Sequence, residues 1–148
     1  MKPLIVLIGV FVLCLGITAL IGSTEINLSG RIAMSAMLSF TAMGHFKFPD
    51  GMAMMMPPFF SAKKQIVLIT GMIEVLAAVG LLVSSTIKIT GILLIVFFLL
   101  ILPANIYAAM KKVNLEKSDY SGNGINYLWF RIPEQIFFIA WVYYFAVK

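Results

Sequence analysis

Residues 65–84 read QIVLITGMIEVLAAVGLLVS, with one charge, Glu74, near the middle. A run of roughly 20 mostly apolar residues is long enough to cross a bilayer. The composition of the whole chain favours that reading over a soluble core helix. Of 148 residues, 61% are hydrophobic and 11% charged, whereas soluble domains have about 45–50% apolar and about 25% charged residues. Mean hydropathy is +1.03.

Four further segments share this character. They are residues 3–22 (PLIVLIGVFVLCLGITALIG), 31–48, 88–110 (which contains ILLIVFFLLILPANIYAAM) and 127–147 (which contains RIPEQIFFIAWVYYF). Lys2 precedes the first apolar run as it would in a signal peptide, but no small-x-small cleavage site follows, so the run reads as a helix. The expected fold is all-α: one domain, 1–148, forming a polytopic membrane helical bundle of five spans.

The basic residues orient it. With five spans, Lys2, Lys47, Lys63, Lys64, Lys111, Lys112 and Lys117 share one side, and Arg31, Lys88 and Lys148 the other. Positive charge marks the cytoplasm, so the N-terminus is expected inside and the C-terminus outside. The formal charge of +5 is explained by this loop bias and does not point to nucleic acid. Tyr127, Trp129, Trp141, Tyr143 and Tyr144 flank the last span at both ends, where rings favour the headgroup level. Cys14 is the single cysteine and lies in an apolar run, which excludes an intrachain disulfide and suits a buried, inert thiol.

Ionisable residues inside a span cost a few kcal/mol and are usually paired. Glu74, Arg131 and Glu134 are such residues, with His45 and Asn105 nearer the helix ends. At 1.5 Å per residue, Glu74 lies about 13 Å and His45 about 5 Å from the cytoplasmic ends of their helices, and Asn105, Arg131 and Glu134 about 6–10 Å. All fall in the same half of the membrane. Arg131, Glu134 and Gln135 follow an i, i+3, i+4 pattern on one face. Pro103 removes a backbone donor and frees a carbonyl near residue 99. The candidate ligand-binding residues are therefore His45, Glu74, Asn105, Arg131, Glu134 and Gln135. Structural readings compete at most of them: Arg131 and Glu134 as a self-neutralising pair, Arg131 snorkelling to phosphates, Asn105 as interhelical glue, and His45 as a helix cap.

The stretch FTAMGHFKFPDGMAMMMPPFF (40–60) holds the only histidine. FPDG reads as a turn closing the second helix. The segment after it reads as an apolar lid over the polar residues, with His45 at its hinge. Copper(I) accepts thioether and imidazole ligands, but the spacing of Met52, Met54, Met55 and Met56 is irregular, and Met is a flexible gap filler. No metal site is expected.

The string AMGHF…PP…GMIEVLAAVGLL…LPANIYAA…RIPEQIFFIAWVYY resembles the DoxX and DoxX-like family of small bacterial membrane proteins over roughly residues 31–147. The resemblance rests on Gly44, His45, Phe46, Pro57, Gly71, Glu74, Gly80, Leu81, Pro103, Asn105, Arg131, Pro133, Gln135 and Trp141. It implies a four-helix membrane core, a place in the bacterial inner (cytoplasmic) membrane and a link to quinone-linked redox chemistry, with quinone as a candidate ligand. Helix 3–22 then becomes an extra N-terminal helix suited to docking, and Glu134 departs from the apolar residue expected between Pro133 and Gln135.

No P-loop, dinucleotide fingerprint or Ser-His-Asp spacing occurs. The expected function is a small membrane accessory subunit, or a quinone- or lipid-binding protein, meeting the bilayer and either a larger membrane partner or copies of itself. Two alternatives are a membrane enzyme using Glu74 and His45 as acid and base, and a proton-coupled transporter.

Overall fold

The computed structural model describes residues 2–23 and 25–148. The helices are Lys2–Leu20 (α1), Ile26–Lys47 (α2), Pro49–Ala53 (α3), Lys63–Gly80 (α4), Ile87–Met110 (α5) and Leu128–Val142 (α6). A 3₁₀ turn, Ile125–Tyr127, leads into α6, and a π-helical turn, Tyr143–Val147, extends it. Among the described residues there is no strand; one isolated bridge joins Asn114 to Asp119.

The five long helices cover the five segments expected, with shifted ends. α2 starts at Ile26, ahead of Arg31, so that charge lies within the helix. α4 stops at Gly80, where the Thr86 hydroxyl donates to the Gly80 carbonyl at 2.9 Å and closes the turn to α5. FPDG does not form a turn. Phe48 ends α2, its N–H donating to the Gly44 carbonyl, and Pro49 opens α3. Proline suits a first helical turn because its missing N–H would have no helical partner there.

Two helices, α1 and α5, are long and apolar enough to cross a membrane. The other three long helices are diluted by what they turn inward. α2 buries Ser29, Gly30 and Ser35, α4 buries Glu74, and α6 buries Glu134 and Gln135. Large apolar side chains instead face outward: Leu20 is 90% exposed and Leu100 72%, against 4% for both Glu74 and Glu134. This inverts the usual soluble pattern, in which charged residues are almost never buried unless paired.

α2 is the hub. It packs along α1 and α4 and meets the π-helical end of α6, while α5 pairs with α6. Small residues and backbone acceptors make these approaches close. The Phe145 ring lies on Gly30 and Ala146 on Gly91. Trp141 Nε1 donates to the Gly30 carbonyl at 3.0 Å, and Ser35 Oγ to the Ala78 carbonyl at 2.8 Å. Small residues at helix interfaces let backbones approach in a lipid solvent, where dispersion and hydrogen bonds drive association.

One end of the bundle gathers the start of α1, α3, the start of α4 and the 111–124 loop. Lys2 bonds Glu116, Lys64 lies 3.0 Å from Asp50, and Gly51 fits under the Leu115 carbonyl. The Lys2 ammonium holds the Glu116 carboxyl below the usual carboxylate range. Both partners are exposed, so this tie adds little stability.

α1 is less constrained along its length. Nothing lies within 4 Å of a Cβ added at Gly9 or Gly16. Glycine costs a helix interior about 1 kcal/mol relative to alanine. Gly9→Ala and Gly16→Ala are therefore expected to leave stability unchanged or to raise it by up to about 1 kcal/mol each. Thermal unfolding in detergent checks this; a marked loss would show that α1 packs through these positions.

Candidate functional site

The six candidate residues form two groups on different helix pairs. His45 and Glu74 meet between α2 and α4. Asn105, Arg131, Glu134 and Gln135 meet between α5 and α6.

His45 stands level with Gly71, three residues before Glu74, so the pair bridges an axial offset of about 4.5 Å at 1.5 Å per residue. The direction of the side chains explains how. Cβ atoms tilt toward the N-terminus of their own helix. α2 and α4 run in opposite directions, so Glu74 leans toward the lysine-rich end and His45 leans away from it. His45 Nε2 lies 3.5 Å from Glu74 Oε1. The close approach of the helices depends on Gly71, where a Cβ would stand 2.7 Å from that of His45.

The other imidazole nitrogen is also in use. His45 Nδ1 is 3.0 Å from the Val67 carbonyl and 3.1 Å from the Thr70 hydroxyl. That hydroxyl donates to the same carbonyl at 2.8 Å, which leaves it free to accept. Two acceptors facing Nδ1 place a proton there, since a bare nitrogen would meet a carbonyl lone pair. The side chain of Glu74 is 6% exposed, and its second oxygen, Oε2, is buried without a hydrogen-bond partner. His45 thus faces inward to α4 and does not cap its helix.

The second group is a ladder. Arg131 lies 3.5 Å from the Glu134 carboxylate and donates to Asn105 Oδ1 at 3.1 Å. Asn105 Nδ2 donates to Gln135 Oε1 at 3.2 Å, and Gln135 Nε2 to the Phe98 carbonyl at 2.6 Å. Pro103 removes the N–H that would reach the carbonyl of Leu99. The acceptor used by Gln135 lies one residue earlier. The ladder links α5 to α6 through side chains on both helices. Arg131 also stands over the Tyr127 ring at 5.7 Å.

Two hollows adjoin the ladder. A cavity of about 50 Å³ is lined by Asn105, Arg131, Tyr127, Asn123 and Met55, among others, with room for a few waters. An apolar groove of about 280 Å³ runs between α1 and α6, lined by Leu4, Ile8, Trp129, Phe130, Pro133, Glu134 and Phe137. The methionine segment touches both polar neighbourhoods: Met52 Cε packs over Gly44 beside His45, and Met55 lines the cavity next to Arg131.

The sequence reading missed the Val67 and Phe98 carbonyls, which leave no trace in residue type. It also missed the groove, because that depends on how α1 is set against α6.

Residues 34–146 match a family model described as a domain of unknown function, DUF8561. The matched stretch takes in all six candidate residues and leaves α1 outside. No curated protein and no solved structure matches the chain.

Proposed function

The chain belongs to the DUF8561 family, and we propose that it is a five-span protein of the bacterial cytoplasmic membrane that holds a lipophilic ligand, a quinone or lipid, beside its buried polar residues. Its N-terminus faces the cytoplasm and its C-terminus the outside, which puts the end gathering Lys2, Lys63, Lys64, Lys111 and Lys112 in the cytoplasm.

The observation that carries this reading is the groove between α1 and α6. Its walls are apolar and aromatic, and it borders Glu134, whose buried carboxylate lies 3.5 Å from Arg131. Ligand sites are mostly apolar clefts with a few polar groups that fix orientation. At about 280 Å³ the groove suits a head group or a short length of chain rather than a whole lipid. Leu4 and Ile8 come from the helix outside the family match. The extra helix therefore supplies one wall, and an accessory role with a larger membrane partner follows if that partner delivers or accepts the ligand. Quinone is the ligand implied by the DoxX resemblance.

Native mass spectrometry of protein extracted gently from its own membrane tests this. A stoichiometric lipophilic adduct is expected on the wild type. Ile8→Trp fills the groove and is expected to reduce retention at least about tenfold, equivalent to about 1.4 kcal/mol. Absence of any lipophilic adduct, or equal retention by the variant, refutes the groove as the binding site.

A further inference from the structure

We propose that His45 and Glu74 form a proton-exchange site, independent of the groove, in which one proton is shared between the imidazole and the buried carboxyl. Three observations carry it. First, Nδ1 is held as a donor by the Val67 carbonyl and the Thr70 hydroxyl, so proton gain or loss within the pair occurs only at Nε2. Second, Nε2 faces Glu74 Oε1 at 3.5 Å, and a side-chain movement of roughly 0.5 Å makes this an ordinary hydrogen bond. Third, Glu74 Oε2 is buried and has no hydrogen-bond partner. A polar atom shut away from both water and partners is costly to bury as a full charge, so sharing a proton with Nε2 lowers the charge held there.

The step balances within the pair. When Glu74 gives up its proton, its O–H bond breaks and an N–H bond forms at Nε2. The neutral acid and neutral imidazole become a carboxylate and an imidazolium, and the net charge is unchanged. No oxidant or co-reactant takes part. The two side chains differ in access: that of His45 is 17% exposed and that of Glu74 6%. His45 also lies near the end of α2, by the lysine-rich end of the bundle. His45 is accordingly the carrier and Glu74 the store, and the ligand is the proton itself. Gly71 makes the exchange possible by letting the imidazole stand against α4.

Because the chain has one histidine, ¹⁵N-histidine labelling reports on this pair alone. In lipid bilayers, Nδ1 is expected to be protonated, and Nε2 to resonate between the positions of a bare and a protonated nitrogen. Glu74→Gln should move Nε2 to the bare position. Transfer of the wild type into D₂O should replace the shared proton and shift the Nε2 signal. A bare Nδ1, a fully protonated Nε2, or a signal unmoved by D₂O would each overturn the proposal. The wild-type spectra decide the matter even if the Gln variant does not fold.

Discussion

Replacing His45 with leucine while keeping Glu74 is expected to destabilise the bundle by about 3 kcal/mol, the usual scale when one partner of a buried pair is removed. Glu74 would then keep its burial and lose Nε2, with Oε2 already lacking a hydrogen-bond partner. Replacing both residues by leucine is expected to cost less than that single change, because a well-packed apolar pair often matches or exceeds a buried polar one. The cycle of His45→Leu, Glu74→Leu and the double variant should give a coupling of at least about 1.5 kcal/mol. Denaturant titration in mixed micelles measures it. Additivity within about 0.5 kcal/mol would mean that the two side chains are neighbours without being an energetic unit. The ladder residues offer a contrast. Gln135→Ala removes bonds to Phe98 and Asn105, but hydrogen bonds between membrane helices average only about 0.6 kcal/mol. The two polar groups thus differ in weight: the α2–α4 pair is expected to contribute more to stability than any one bond of the α5–α6 ladder.

That division was only half legible in the sequence. Segment hydropathy located all five long helices, because a long apolar run is a local property. It misjudged the start of α2, since Arg31 looks like a boundary charge but lies five residues after Ile26. It missed α3, because PDG is as good an opening for a helix as for a turn. That His45, Glu74, Asn105, Arg131 and Glu134 interrupt apolar helices was readable from spacing alone. Their partition into two groups was not, because it depends on which helix lies beside which. Neither was the identity of the acceptors, since the Val67 and Phe98 carbonyls belong to the backbone. Gly71 shows the same limit. In the sequence it is one of several small residues near Glu74; in the fold it is the one that admits His45.

Gly71→Ala is therefore the substitution that separates helix packing from side-chain chemistry, since it leaves every polar group in place. The new methyl would lie 2.7 Å from His45 Cβ, 3.3 Å from Cγ and 3.4 Å from Phe46 Cζ. Carbon atoms pack at about 3.5–4.0 Å, so α2 and α4 must part by roughly 1 Å at this level. Inserting one methyl into a filled interface typically costs about 1–3 kcal/mol, and Gly71→Val should cost more. The larger consequence falls on the pair. His45 Nε2 and Glu74 Oε1 are already 3.5 Å apart, and another roughly 1 Å puts them beyond hydrogen-bonding reach. The Nε2 resonance of Gly71→Ala is expected to match that of Glu74→Gln even though Glu74 is intact. Gly9→Ala, on the open flank of α1, should leave the same resonance where it is in the wild type. If Gly71→Ala kept the wild-type resonance, His45 would reach Glu74 by a route that does not need the close approach of α2 and α4, and the role assigned to this glycine would be wrong.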